Sequence, residues 1–139
     1  ILSNQDKELV ELRSELEFIQ PYIFLLQTRF DQGLSVTVNI PEQYKNWHVV
    51  PAALQMLIEN AIKHNVVSRN KPLHIDIHTN GNQTLVIKNN RQPRMAVEPS
   101  TRIGLENIRK RYELICGRDV VISQSEQTFE VAIPLLQLN

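Results

Sequence analysis

Leu54-Gln55-Met56-Leu57-Ile58-Glu59-Asn60-Ala61-Ile62-Lys63-His64-Asn65 is the stretch on which the reading of this chain turns. At about 100° per residue, Leu54, Leu57, Ile58, Ala61 and Ile62 fall on one apolar stripe, and Met56, Asn60, Lys63 and His64 gather along its flank. The stripe is that of a core helix. The flank places a carboxamide, an ammonium and an imidazole within little more than one turn, a set that can serve a metal ion and a phosphate together. Taken alone, a solvated helix side is the simpler reading, so the weight of the flank depends on what the rest of the chain brings to it.

Working outward from this helix, Pro51 suits its first turn, where a missing N–H costs nothing, and the periodicity carries it to about Val66. Before it, Val36, Val38 and Ile40 alternate with polar residues as a half-buried strand that Pro41 closes, and residues 44–50 read as a loop. Further upstream, Leu16, Ile19, Ile23, Leu26 and Phe30 recur at helical spacing. Ser14 and Glu17 have the capping-box separation, Pro21 predicts a kink, and Gly33 an end. Residues 1–13 are polar, with Leu9, Val10 and Leu12 as possible extended contacts.

Downstream, Leu73, Ile75 and Ile77, then Leu85 and Ile87, read as two antiparallel strands joined by a two-residue Asn80-Gly81 turn. Residues 90–102 follow neither period, and an irregular connection of that length is more often functional than idle. Leu105, Ile108, Tyr112 and Ile115 predict a third helix starting at Gly104 and stopped by Gly117, and residues 120–123 and 128–133 predict a final hairpin. The sum is an α/β fold: a two-layer sandwich with three helices on one face of a five-stranded mixed, mostly antiparallel sheet. Residues 1–33 are expected to be a leading segment and helix, and 34–139 the domain proper.

The totals set the limits. A chain of 139 residues is large enough to remove roughly two thirds of its unfolded surface from water without a disulfide or metal staple. With 15 basic and 15 acidic residues the net charge is zero, so no basic face advertises nucleic acid. The single Cys116 excludes an internal disulfide and a multi-cysteine zinc site, and fits a reducing, cytoplasmic setting. His48, His64, His74 and His78 show no zinc-motif spacing. No apolar run approaches the roughly 20 residues of a membrane span. Since the chain opens at Ile1, it reads as a piece of a longer protein, of which the rest is expected to include a membrane sensor.

Three places can carry chemistry. On the first helix flank, the Asn60 carbonyl is a hard oxygen of the kind magnesium takes, and Lys63 a point charge for a phosphate. At the strand end Lys88-Asn89-Asn90, an amide can accept from an exocyclic amine and donate to a ring nitrogen, although Asn-Asn is by itself an ordinary turn signal. At Arg102-Ile103-Gly104-Leu105, a glycine at a helix start lets the backbone come close to an anion.

In this order, the helix with Glu59-Asn60-Ala61-Ile62-Lys63-His64, the strand ending Asn89-Asn90, the long loop and Ile103-Gly104-Leu105-Glu106-Asn107-Ile108-Arg109-Lys110-Arg111 resemble the ATP-binding domain of sensor histidine kinases. The subfamily is the LytS type, in which a helix ending Arg29-Phe30 precedes the nucleotide domain. The resemblance covers about residues 9 to 135. It implies a Bergerat-type ATP-binding fold and a histidine protein kinase that binds ATP and Mg²⁺. By that resemblance Asn60 is the metal ligand, and Lys63 and His64 lie beside the phosphates. Asn89 and Asn90 stand at the adenine-reading loop, and Gly104 and Leu105 at the end of the lid.

The family pattern is not followed everywhere. Asn89-Asn90-Arg91 replaces an Asp-X-Gly loop, and a neutral amide cannot make the charge-assisted bond, worth roughly twice a neutral one. Only Gly104 remains of a glycine pair, with Arg102 in the other place. Met56 stands where gyrase-type relatives have a catalytic glutamate, which disfavours hydrolysis and favours transfer. No Asn-Pro-His context for a phosphorylated histidine occurs before Ser14, so the implied acceptor belongs to an upstream histidine-bearing domain and the chain alone is expected to be inactive. The implied partners are that domain, a cognate response regulator and a second copy in a homodimer, with the whole a cytoplasmic domain of an inner-membrane sensor. The alternative is a degenerate nucleotide-binding signalling module without kinase turnover.

Overall fold

The computed structural model describes residues 9–95 and 100–138, the first four residues of the last helix as backbone only. In chain order the elements are β1 (Val10–Glu11), α1 (Leu12–Phe30), β2 (Leu34–Asn39), β3 (His48–Val49), α2 (Ala53–His64), β4 (Leu73–Asn80), β5 (Thr84–Asn90), α3 (Ser100–Cys116), β6 (Val121–Gln124) and β7 (Thr128–Pro134). Short 3₁₀ turns follow α1 at Asp31–Gly33 and β2 at Glu42–Tyr44.

Five strands form the sheet in the order β2-β4-β5-β7-β6. β2 runs parallel to β4, and the other neighbours are antiparallel. A parallel pair needs a crossover, and here the crossover contains α2. On β4, Leu73, Ile75 and Ile77 are buried while His74 and Asp76 are exposed, the two-residue period of a sheet with one covered face. Against that face pack Leu12, Leu16, Ile19 and Ile23 of α1, the buried stripe of α2, and Ile108, Tyr112 and Ile115 of α3, all in one core. Each such fully buried Leu or Ile contributes about 1.5–3 kcal/mol relative to its exposed state. The expected two-layer sandwich is therefore the observed one.

The local differences have physical causes. α1 begins at Leu12, so Ser14 lies inside it and the capping box does not form. Its first amides, those of Leu12 and Arg13, donate instead to the carbonyls of Trp47 and Lys45, both at 2.8 Å. Those carbonyls belong to the segment expected to be a plain loop, which carries β3. Strand β3 pairs antiparallel with β1 and is bridged on its other side to Leu136. Despite Pro21, α1 is one continuous helix. α2 starts after Pro51 rather than on it and ends at His64.

The β4–β5 turn has three residues, not two, with the positive φ at Gln83. The Asn80 side-chain oxygen closes it by accepting from the Asn82 amide at 3.0 Å and the Thr84 hydroxyl at 2.6 Å. α3 starts at Ser100, so Gly104 is inside the helix, not at its first residue. Gly33 earns its place by closeness: a Cβ there would stand 3.0 Å from the Ser68 carbonyl carbon.

Candidate functional site

The site is organised by α2, and α2 is held at its start from two sides. Ala52, just before the helix, adopts φ +67°, and its amide donates to Glu15 Oε1 of α1 at 2.8 Å. From α3, Arg111 donates to the Pro51 carbonyl at 3.0 Å, and the Tyr112 hydroxyl accepts from the Val50 amide at 3.2 Å. Burial pushes the pKa of Tyr112 well up, so this hydroxyl stays protonated. With its start so fixed, α2 presents its Asn60, Lys63 and His64 flank toward α3.

Two clefts open along that flank. The larger, of about 340 Å³, lies between the second half of α2, the loop after β5, and the ends of β6 and β7. Asn60, His64, Arg91, Leu105, Gln124 and Phe129 are among its walls. The narrower, of about 70 Å³, runs between α2 and α3 and is bordered by Met56, Glu59, Asn60, Lys63, Gly104 and Leu105 among others. Asn60 and Leu105 border both. Five of the seven residues expected from the sequence, Asn60, Lys63, His64, Gly104 and Leu105, are thus brought together.

Asn89 and Asn90 border neither cleft. Asn90 is engaged structurally: its side-chain oxygen accepts from the His74 amide at 2.7 Å and its nitrogen donates to the Pro72 carbonyl at 3.1 Å, pinning the entry of β4. Asn89 is buried, donates to the Asn90 carbonyl at 2.8 Å, and is paired on β7 with Phe129, which does line the larger cleft.

Among the described residues, six that border the larger cleft are outside the expected set: Ala61, Asn65, Arg91, Pro93, Gln124 and Phe129. Asn65, at the C-terminus of α2, is buried; its side chain donates to the Ala61 carbonyl at 2.7 Å and accepts from the Gln92 amide at 2.8 Å. It fastens the loop after β5 to the helix. Its backbone is extended (φ −122°, ψ 155°), so it acts through its side chain and not as the left-handed cap that an Asn at a helix end signals. Arg91 is tethered by a 3.0 Å hydrogen bond to the Ser125 carbonyl. Among the described residues, neither Asp nor Glu borders the larger cleft.

Among the described side chains of the narrower cleft, the polar groups are a carboxylate, an amide and an ammonium. Asn60 Oδ1 is buried and has no hydrogen-bond partner among the described residues. Leaving such an atom unpaired costs about 1–3 kcal/mol, which a cation at the site would offset. The residues therefore fit magnesium, which takes few protein oxygens and completes its shell with phosphate and water. Next to it, Glu59 Oε1 accepts from Gln55 at 3.3 Å. Tyr22 of α1 faces the same carboxylate: burial, then the charge and hydrogen bonding of Glu59, push its phenol up to about 12. Among the described residues there is no group of three or more His, Cys, Asp and Glu side chains able to cage a metal without other ligands.

Against known proteins, no family model matches the chain. Among curated proteins it is similar to the sensor histidine kinase/phosphatase LytS of Staphylococcus aureus strain MRSA252, 25% identical over 153 aligned residues. That alignment covers 96% of this chain and 26% of LytS, so the chain spans about a quarter of its relative. Among solved structures, the catalytic domain of histidine kinase ThkA matches with a TM-score of 0.61 at 16% identity, over 94% of this chain and 99% of that one. The cytoplasmic segment of histidine kinase QseC matches with a TM-score of 0.60 at 15% identity, over 94% and 78% of the two chains. In sequence this chain is similar to the sensor histidine kinase/phosphatase LytS, and its fold is that of histidine kinase catalytic domains.

Proposed function

We propose that this domain binds Mg-ATP and holds it for transfer of the γ-phosphoryl group to a histidine on a segment outside the 139 residues. The observation that carries the reading is the unpartnered amide oxygen of Asn60 on the wall between the two clefts. The likeness to LytS across 96% of the chain supports it.

The residues divide the work. Phe129, Pro93 and Leu105 offer the larger cleft apolar surface for a base, and Lys63 brings a point charge for a phosphate oxygen. Asn60 supplies the hard oxygen for the metal. Bound magnesium supplies neutralisation of the charge on the phosphate oxygens. Met56, a thioether in the narrower cleft, cannot take a proton from water, so the site favours passing the phosphoryl group to an external acceptor over hydrolysis. The reading extends to the whole protein: a response regulator as the next acceptor, an upstream histidine-bearing domain, a homodimer and a membrane-anchored sensor. Among the described residues no helix is long and apolar enough to cross a membrane.

A calorimetric titration of the domain with Mg-ADP tests the proposal. Saturable binding is expected in the wild type and a loss of about tenfold or more in Asn60→Ala. No binding by the wild type sinks the function, and unchanged binding by the variant sinks the role of Asn60.

A second reading, a nucleotide-binding signalling module without turnover, is favoured by one observation: the Asn90 amide is spent on β4 rather than on either cleft. Phosphotransfer from labelled ATP, in a chain that includes the upstream histidine segment, separates the two. Transfer removes the second reading.

A further inference from the structure

Glu59 and Lys63 stand one helical turn apart on α2 and border the same narrow cleft as the unpartnered Asn60 oxygen. Opposite charges at this spacing commonly pair. Here no Glu59–Lys63 ion pair forms; the carboxylate instead accepts from Gln55 one turn earlier and has the Tyr22 phenol of α1 beside it, both neutral donors. Neutral donors fix a carboxylate without cancelling its charge. A bare carboxylate on the wall of a phosphate site repels the ligand, unless a cation stands between them.

We infer that Glu59 is a second oxygen ligand of the divalent cation beside Asn60, and that Tyr22 is the residue that positions it, so that α1 contributes to the metal site. The inference rests on the nucleotide reading above. It divides the helix flank by ligand: Glu59 and Asn60 face the cation, Lys63 the phosphate. It also gives α1 a direct hold on the affinity for the metal-bound nucleotide, because any displacement of α1 that withdraws the phenol releases the carboxylate.

The sign of the effect separates this role from a structural one. A carboxylate at position 59 penalises ADP without metal and rewards Mg-ADP. Glu59→Gln keeps the shape and the contact with Gln55 but removes the charge. It is expected to bind metal-free ADP as tightly as the wild type or more tightly and to bind Mg-ADP less tightly, so that the ratio of the two affinities falls about tenfold or more. Tyr22→Phe keeps the ring packing and is expected to lower the same ratio, by up to about tenfold.

The measurement is a pair of calorimetric titrations with ADP, one with Mg²⁺ and one with chelator, on wild type and both variants. A ratio unchanged in Glu59→Gln overturns the metal role, and a ratio unchanged in Tyr22→Phe overturns the positioning role. Equal weakening in both titrations shows a structural residue and overturns both. If Glu59→Gln does not fold, the Tyr22→Phe ratio decides alone, with no change overturning the inference. Failure of the wild type to bind either form strikes the nucleotide reading instead.

Discussion

The Glu15 carboxylate of α1 accepts a hydrogen bond from the Ala52 amide at 2.8 Å, joining the leading helix to the start of the helix that carries Asn60. Its second oxygen is buried without a hydrogen-bond partner among the described residues. Burial raises its pKa above the ordinary 4.5, against the opposing pull of the Ala52 amide and the Arg111 charge. A raised folded-state pKa means that the folded chain holds the proton more tightly than the unfolded one. Stability from this group is thus fully present below the unfolded value and is lost as pH rises through the folded one. Glu15→Gln keeps an acceptor for Ala52 and removes the titration. Urea denaturation at a series of pH values from about 4 upward should show a flatter profile for the variant than for the wild type. Identical slopes would refute the assignment. Glu15→Ala, which leaves the Ala52 amide unpaired, should lower stability by about 1–3 kcal/mol at every pH.

Ala52 itself is a second test of the same junction. It occupies the left-handed region at φ +67°, which disfavours an L-residue by roughly 1–2 kcal/mol. Ala52→Gly relieves that strain and adds unfolded-state entropy, so a net gain of about 0.5–1 kcal/mol in denaturation free energy is expected. A loss of stability would show that the Ala52 methyl contributes packing that outweighs the backbone.

The part of the fold that sequence pattern reveals is the part stabilised by local periodicity. β4 is legible because its buried Leu73, Ile75 and Ile77 alternate with polar neighbours, and α2 because its stripe repeats at 3.6. β1 and β3 are two residues each, too short to carry a period, and exist through their pairing with one another and with Leu136. The start of α1 is hidden for a related reason: its amides are satisfied by Lys45 and Trp47, distant in sequence, so Ser14 is not needed as a cap. The site divides in the same way. Asn60, Lys63 and His64 share one helix face and can be read together. Arg91, Gln124 and Phe129 meet only because the sheet order sets β7 between β5 and β6.

Asn65 links fold to site most directly. Its side chain bonds Ala61 and Gln92 at once, and its carbonyl accepts from Arg94 at 2.8 Å. Asn65→Ala leaves the buried Ala61 carbonyl and Gln92 amide without these partners, at an expected cost of about 1–3 kcal/mol in stability. Because the same loop carries Arg91 and Pro93 of the larger cleft, the variant should also bind nucleotide more weakly at a temperature where it remains folded. Loss of stability with unchanged affinity would show that the loop holds its place without this clamp.

Asn89 poses the sharpest question, because a carboxylate there can accept from an adenine amine with charge assistance. In this chain the Asn89 nitrogen donates to the Asn90 carbonyl at 2.8 Å within a buried setting. Asn89→Asp would set an acceptor against that carbonyl and bury a charge with no donor beside it, so the nucleotide-free domain should lose about 1–3 kcal/mol of stability. An adenine amine brought to the strand end would supply the missing donor. The gain in melting temperature on saturation with ADP should then be larger in Asn89→Asp than in the wild type, and larger than the gain the same variant shows with GDP, whose base has a carbonyl where adenine has its amine. Thermal melts of both proteins with and without each nucleotide decide it. Equal gains would place the base away from Asn89, beside Arg91 and Phe129 in the larger cleft.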